Sequence, residues 1–287
     1  NSKNKNNKIN FKNMIKKLLD KNYFTNGWVR INLINLNSLK ITIATLEKTL
    51  SKLTNKKNAK LHNYHNFVDD IEAKDLRWKL TNTFWKYNFA EKICLENIDI
   101  FKNIMGPNLH IQSKPYLRIA RPNKPNDNIG YHRDTYYGQS PYEVTFHIPL
   151  TKVTKHGALK FVSNSHIKSE KYYKPQKKKS SHEKGSKEHL MGFPYAPIEM
   201  EKSRFVSELR PVPLKIGQGI LFSPSTIHGQ EINTMITSRF SFDLRLINSN
   251  APVKFKKDLT PRGYKKVCES AIDQVAEKYI KVNQNDN

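Results

Sequence analysis

Cysteine is nearly absent from this sequence: in 287 residues the only two are Cys94 and Cys268. They lie far apart and outside any spacing typical of metal ligands, which excludes a disulfide-stapled scaffold and a cysteine-based zinc site. So few thiols favour a reducing compartment. We therefore expect a cytoplasmic protein.

Long hydrophobic runs are also missing. No segment approaches the roughly 20 apolar residues that cross a bilayer as a helix, so we predict no transmembrane segment. The opening "NSKNKNNKIN" carries charge but no following apolar core, so it does not have the pattern of a signal peptide. We expect residues 1–10 to be disordered and residues 11–287 to form a single domain.

Acidic residues are scarce beside basic ones. Lys and Arg number 50 against 25 Asp and Glu, which gives a formal net charge of +25 at pH 7. A basic surface can bind nucleic acid, anionic lipid or an acidic small molecule. The lysines are spread along the chain among asparagine and isoleucine, however, as a biased codon usage would also produce. Charge alone therefore leaves a nucleic-acid-binding protein and an enzyme with an anionic substrate both open.

The first part of the chain has mainly helical patterns. Segment 11–23 has apolar residues at the i, i+3, i+4, i+7 spacing of an amphipathic helix. After a predicted strand in "GWVRINLI", the run "SLKITIATLEKTLSKL" predicts a second helix with Ser38 as its N-cap. Residues 68–105 predict more helix. We expect residues 11–112 to be a mostly helical support.

From about Pro115 the pattern changes to short β-like runs separated by Gly, Pro and Asn. Such runs predict a β-sandwich or barrel over residues 113–250, and hence an α+β protein with a mainly β core. Residues 167–205 form a long insertion, of a length typical of lids or disordered loops. Residues 251–287 are expected to form a polar tail and a helix in "YKKVCESAIDQVAEKYI". The β-like runs are "YLRIARP", "EVTFHIPL", "ALKFVSNSH", "GILFSPSTIHG" and "SRFSFDLRLI".

The segment "GYHRDTYYGQ" places His132 and Asp134 two residues apart. On a strand both side chains point to the same face, so they could bind one metal ion together. The best third ligand is His228, which ends the apolar strand in "ILFSPSTIHGQ". Taken singly, each of these residues is more often an ordinary polar side chain than a metal ligand. Together, two imidazoles and one carboxylate that leave three octahedral positions open predict the facial triad of a non-haem Fe(II) oxygenase.

The next strand, "SRFSFDLRLI", has an unusual polar face. The guanidinium of Arg239 could hold a carboxylate through two hydrogen bonds, and the Ser241 hydroxyl could add a third. A dicarboxylic 2-oxo acid that chelates the metal would need such a partner at its far end. For Asp243 and Arg245, a solvent-facing position is an equally good interpretation.

Through these motifs the chain resembles the phytanoyl-CoA dioxygenase-like branch of the Fe(II)/2-oxoglutarate oxygenases over about residues 11–250, closest to streptomycin-biosynthesis hydroxylase-like proteins. The motifs are the His-x-Asp, the strand from Gly157 to His166, the distal histidine and the Arg-x-Ser. The resemblance implies a double-stranded β-helix (a cupin-like jelly roll) flanked by N-terminal helices. It implies Fe(II), 2-oxoglutarate and O₂ as cofactors. The implied activity is hydroxylation of a C–H bond in a small, sugar-like metabolite, and the basic charge of the chain favours an anionic one.

The resemblance also implies roles for individual residues. His132, Asp134 and His228 match the iron ligands, and Arg239 and Ser241 match the residues that hold the far carboxylate of 2-oxoglutarate. Because Asp134 is a carboxylate rather than a small residue, hydroxylation is favoured over halogenation.

Other positions match the family less closely. Thr145 and His147 are expected to contact the cosubstrate, although His147 stands where the family often has tryptophan. Tyr136 and Tyr137 are candidate substrate contacts, with packing an equal alternative. His166 is expected to be structural.

The alternative function is a non-catalytic basic jelly roll that binds nucleic acid or another polyanion. No helix-turn-helix, zinc finger or aromatic RNA-binding motif accompanies the charge, so we do not expect a nucleic-acid partner. The sequence leaves the identity of the substrate and the oligomeric state open.

Overall fold

A computed structural model describes residues 22–251 and 263–284. The expected disorder of residues 1–10 lies outside this part, as does nearly all of the helix predicted over residues 11–23. Within it, no helix has both the length and the hydropathy of a membrane span.

Helices dominate the first third of the described chain, and strands dominate the remainder. The helices are α1 Phe24–Asn26, α2 Asn37–Thr54, α3 Ala73–Lys86, α4 Phe89–Glu96, α5 Ile98–Met105, α6 Glu170–Tyr173, α7 Lys187–Leu190 and α8 Ala271–Gln284. The strands are β1 Trp28–Asn32, β2 Leu109–Gln112, β3 Tyr116–Ala120, β4 Val144–Pro149, β5 Lys160–Val162, β6 Gln176–Lys177, β7 Ile198–Glu199, β8 Leu209–Pro211, β9 Gln218–Phe222, β10 His228–Gly229, β11 Arg239–Asn248 and β12 Tyr264–Cys268.

Two antiparallel sheets form a jelly roll. The large sheet has the order β1-β9-β4-β11-β2-β12, with β3 also pairing with β11, and the small sheet has the order β10-β5-β8. Phe161 of the small sheet contacts Phe222 of the large one, with 5.2 Å between their ring centroids. The strands β6 and β7 pair inside the insertion. The predicted α+β class with a jelly-roll core is confirmed.

The helices cover the outer face of the large sheet. Phe242 of β11 packs on Phe84 of α3 with ring centroids 5.0 Å apart, and Phe146 of β4 packs on Phe101 of α5 at 5.3 Å. All four rings are buried, and each such burial contributes roughly 1.5–3 kcal/mol. Because the apolar face of β11 is used against the helices, its polar face points into the barrel.

Two details of the predicted secondary structure are wrong. Ser38 is not an N-cap, because α2 begins one residue earlier and the Ser38 backbone N–H donates to the Glu96 carboxylate at 2.9 Å. A tertiary partner thus replaces the expected local cap. The C-terminal segment predicted as one helix begins instead with β12, which pairs with β2 and forms one edge of the large sheet.

A buried ion cluster joins α3 to the end of β3. The Asp127 carboxylate accepts hydrogen bonds from Arg77 Nη2 at 2.7 Å and from Arg121 Nε at 2.9 Å. Burial raises the pKa of Asp127. The two arginines lower it by more than burial raises it, so the pKa lies below the ordinary value. This contribution to stability is present above the unfolded-state pKa of about 3.9 and is lost as the pH falls through the folded-state value.

We expect Asp127→Asn to lower the free energy of unfolding by about 3–5 kcal/mol, because it leaves the buried Arg77 without its counterion and Arg121 with only the exposed Asp70. Denaturant unfolding at neutral pH measures this change. The control is Asp75→Asn, which removes surface ion pairs with Lys79 and Lys187 and should lower the free energy of unfolding by less than about 1 kcal/mol. Equal midpoints for the two variants would contradict the structural role of the cluster.

Candidate metal centre

His132 and His228 lie side by side at the mouth of the barrel. The His132 N–H donates to the His228 carbonyl at 2.9 Å, and the His228 N–H donates to the His132 carbonyl at 3.0 Å. This backbone bridge brings the two rings to 4.5 Å between centroids. Asp134 begins a short 3₁₀ turn, Asp134–Tyr137, rather than continuing a strand as predicted. The side chains nevertheless converge.

The three side chains present their ligand atoms to one point. The Nε2 atoms of His132 and His228 lie 3.5 Å and 3.9 Å from Asp134 Oδ1, and one ligand atom from each residue lies within 4.8 Å of the others. Each histidine donates its Nδ1 hydrogen to a backbone carbonyl, Gly130 at 2.7 Å and Thr226 at 3.0 Å. Because a carbonyl only accepts, each ring carries a hydrogen on Nδ1, and its Nε2 is the atom that faces Asp134.

The protonation states also suit a cation. Burial, and then the neighbouring His132, lowers the pKa of His228 to about 4, so this ring is neutral at pH 7. Burial raises the pKa of Asp134, but Arg245 and the two histidines outweigh it and hold the pKa well below its ordinary range. A neutral imidazole and an ionised carboxylate are the forms that bind metal.

Both oxygens of Asp134 have further partners. Thr145 Oγ1 donates to Oδ2 at 3.2 Å, and Arg245 Nη2 lies 3.2 Å from Oδ1 in an ion pair. Arg245 is buried, so the solvent-facing alternative for this residue is wrong. Sequence reasoning missed its pairing with Asp134; its position on the same face as Arg239 was the available signal.

Arg239 and Ser241 are buried inside the barrel with unsatisfied polar groups. Arg239 Nη1 donates to the Gly157 carbonyl at 3.1 Å, whereas Arg239 Nε and Nη2 and Ser241 Oγ have no hydrogen-bond partner among the described residues. Burial lowers the pKa of Arg239 to about 10. Unpaired buried donors are costly and rare. This arrangement fits a carboxylate ligand that arrives from solution.

The buried His147 and the partly buried Asp243 form a second pair beside the triad. His147 Nδ1 donates to Asp243 Oδ1 at 2.7 Å, and Arg118 Nε donates to Asp243 Oδ2 at 2.8 Å. Asp243 is therefore not a solvent-facing residue. His147 lines a small recess, of about 30 Å³, together with the three candidate ligands. Its contact with a cosubstrate stays a prediction.

A cavity of about 260 Å³ adjoins the triad. One wall comes from the barrel and the 130–139 loop, and the other comes from the insertion. Tyr136 and Tyr137, the predicted substrate contacts, line it between the two walls. The remaining wall residues include Tyr116, Arg118, His132, Asp134, Gln139 and Arg245 on the first side, and His189, Gly192, Phe193, Pro194, Tyr195, Ala196 and Ile198 on the second.

The insertion is anchored at two places to the loop that carries His132 and Asp134. Near its start, the buried Arg133 donates to the carbonyls of Ser165 at 2.6 Å and Lys168 at 3.0 Å. Near its end, the Met200 N–H donates to the Tyr131 carbonyl at 3.0 Å. His166, predicted to be structural, donates from Nε2 to the Phe24 carbonyl at 2.9 Å, away from the triad.

Comparison with known proteins places the chain among non-haem iron proteins. The sequence pattern of the family described as phytanoyl-CoA dioxygenase (PhyH) matches residues 41–240. No curated protein sequence matches the chain.

Several solved structures are similar in fold. The non-heme monooxygenase ThoJ in its apo form has a TM-score of 0.54 at 15% identity, covering 88% of this chain and 84% of that one. Its nickel complex has a TM-score of 0.52 at 16% identity with the same coverage. The α-ketoglutarate-dependent epimerase SnoN from nogalamycin biosynthesis has a TM-score of 0.47 at 14% identity, covering 90% and 94%. At these identities the ThoJ structures show a shared fold.

Proposed function

The chain belongs to the phytanoyl-CoA dioxygenase family, and on that premise we propose that it hydroxylates a C–H bond of a small anionic metabolite derived from a sugar. The family is one of Fe(II)/2-oxoglutarate-dependent oxygenases, so the protein is an enzyme of this type. Its cofactors are Fe(II), 2-oxoglutarate and O₂. The predicted family and enzyme class are confirmed.

The assignment of roles to individual residues rests on one observation. A metal-suited triad and a pair of unsatisfied carboxylate-binding groups occur inside the same barrel. We propose that His132, Asp134 and His228 bind Fe(II) and that Arg239 and Ser241 hold the 5-carboxylate of 2-oxoglutarate. When bound, iron, 2-oxoglutarate and O₂ supply the oxidant, and 2-oxoglutarate leaves as succinate and CO₂.

The protein's own contribution is to orient these groups and exclude water. The paired Nδ1 hydrogen bonds fix both imidazoles, and the buried barrel interior removes solvent from the triad. Thr145 and His147 lie next to the triad, and we propose that they contact the cosubstrate there. We propose that residues 167–205 act as a lid over the cavity.

The cavity wall supports an anionic, ring-shaped substrate. Arg118 and Arg245 both line the cavity and lie close to the Tyr116 ring, with guanidinium carbons 5.0 Å and 5.1 Å from its centroid. Tyr136 and Tyr137 add aromatic faces that can pack against the C–H groups of a sugar ring. The exposed lysines 177–179 on the insertion add positive charge that attracts anions.

The test is succinate release from 2-oxoglutarate with matched pairs of candidate substrates. We expect a hexuronic acid, or a nucleoside diphosphate sugar, to stimulate release at least about tenfold more than the uncharged parent hexose, a difference of about 1.4 kcal/mol. Mass spectrometry should show one added oxygen in the stimulating compound. Equal stimulation by charged and uncharged members would contradict the anionic substrate, and a product without added oxygen would contradict hydroxylation.

The cytoplasmic location remains part of the proposal. Cys94 and Cys268 are both free thiols, which suits a reducing compartment. Burial raises the pKa of Cys94 to about 12, so this thiol is unreactive.

A further inference from the structure

The candidate metal ligand Asp134 is held by two residues that face each other across neighbouring strands. In the antiparallel register of β4 and β11, Thr145 lies directly opposite Arg245. Both side chains point into the barrel, and they reach different oxygens of the same carboxylate, each at 3.2 Å. The sheet therefore provides two contacts at a fixed spacing.

Asp134 needs such support because its own backbone does not lie in the sheet. It begins the 3₁₀ turn Asp134–Tyr137, whose sequence is polar and aromatic. A carboxylate on a loop can rotate and can offer a cation one oxygen or two. With Oδ2 held by a hydroxyl, Oδ1 is left 3.5 Å and 3.9 Å from the two histidine Nε2 atoms.

Arg245 is itself immobilised. It is buried, and its guanidinium lies over the ring of Tyr116 at 5.1 Å. The carboxylate of Glu143, also buried, attracts it electrostatically in addition to Asp134. A guanidinium fixed in this way can set the angle of its partner, whereas a flexible surface arginine could not.

We propose that Thr145 and Arg245 are positioning residues that orient Asp134 as a metal ligand through a single oxygen, Oδ1. The inference rests on the proposed function of the triad but assigns a role to two residues outside it. Residues that support a metal ligand commonly change metal affinity by about 10- to 100-fold when they are replaced.

The experiment titrates the apoprotein anaerobically with Fe(II) alone. We expect Thr145→Val to weaken Fe(II) binding by about 10- to 100-fold, and Thr145→Ser, which keeps the hydroxyl, to bind within about threefold of wild type. Thr151→Val is the matched control, because Thr151 is a buried threonine that donates to the Ser238 carbonyl at 3.3 Å and does not contact the triad. It should lower the thermal midpoint without changing Fe(II) affinity.

Arg245→Lys separates geometry from charge. Lysine keeps the positive charge but presents a compact ammonium instead of a planar guanidinium. If Arg245 positions Asp134, this variant weakens Fe(II) binding by about tenfold. If Arg245 acts only as a charge, lysine binds as tightly as wild type.

The outcomes distinguish this inference from the proposed function. Wild-type Fe(II) affinity in both Thr145→Val and Arg245→Lys would overturn the positioning role while leaving the triad intact. A folded wild-type protein that binds no Fe(II) would instead refute the metal centre itself.

Discussion

Asp134→Ala is expected to abolish Fe(II) binding, with a loss greater than the roughly 100-fold that replacing a supporting residue produces. The substitution removes the only carboxylate of the triad and the oxygen that both histidine Nε2 atoms face. Anaerobic titration of the apoprotein measures the loss. Succinate formation should disappear with it.

Asp134→Ala should also lower the free energy of unfolding, because the buried guanidinium of Arg245 loses its paired carboxylate. Arg245 loses the carboxylate that lies 3.2 Å away, and breaking a buried pair costs about 3–5 kcal/mol. The double variant Asp134→Ala with Arg245→Met removes that stranded charge and is expected to recover much of the stability but none of the iron binding. Recovery of iron binding in the double variant would contradict the ligand role of Asp134.

Arg239→Met is expected to weaken 2-oxoglutarate binding by about 30-fold to several thousand-fold, the equivalent of 2–5 kcal/mol for a buried charge pair. Isothermal titration of the iron-loaded protein under anaerobic conditions measures it. Affinity for Fe(II) alone should not change, because Arg239 is not among the three residues that converge on the candidate metal position.

The stability of this variant gives an independent check. Arg239 is a buried cation with two unsatisfied donors, Nε and Nη2, so its removal should leave the thermal midpoint unchanged or raise it. Arg77→Met is the matched control, since Arg77 is buried but already paired with Asp127. It should lower stability and leave 2-oxoglutarate affinity intact. A midpoint loss of equal size in both variants would indicate a structural role for Arg239.

Much of the site could be predicted because it depends on short-range geometry. His132 and Asp134 are two residues apart, and Arg239 and Ser241 alternate with phenylalanines on one strand. On β11 a period of two puts Arg239 and Ser241 on one face without any knowledge of the fold, whereas Asp134 meets the two histidines from a 3₁₀ turn. The structure brings His132, Asp134 and His228 together, and it buries Arg239 and Ser241 in the same barrel.

The contacts to Asp134 could not be predicted, because they depend on the register between distant strands. Nothing in the sequence states that Thr145 of β4 faces Arg245 of β11. Arg245 was also ambiguous in principle: a polar face on a strand usually meets solvent, and here it is buried because a jelly roll encloses the inner face of its sheets. The same limit applies to Ser38, where Glu96 from another helix replaces the local cap.

The insertion shows a further limit of sequence patterns. Its strands β6 and β7 are two residues long each, which is too short for a recognisable alternation. The insertion is attached to the loop that carries His132 and Asp134 largely through Arg133 and through backbone groups. Backbone groups form hydrogen bonds whatever the side chain, so the sequence does not reveal these contacts. Length alone predicted a lid or a disordered loop, and the folded insertion forms one wall of the cavity.

The most direct test of the account is a visible difference spectrum of the anaerobic protein with Fe(II) before and after 2-oxoglutarate is added. If the triad holds iron and Arg239 holds the cosubstrate, wild type shows a weak metal-to-ligand charge-transfer band. Asp134→Ala then lacks the band, and Arg239→Met shows it only at much higher 2-oxoglutarate concentrations. A folded wild-type protein that shows no band and retains no iron would contradict the central claim.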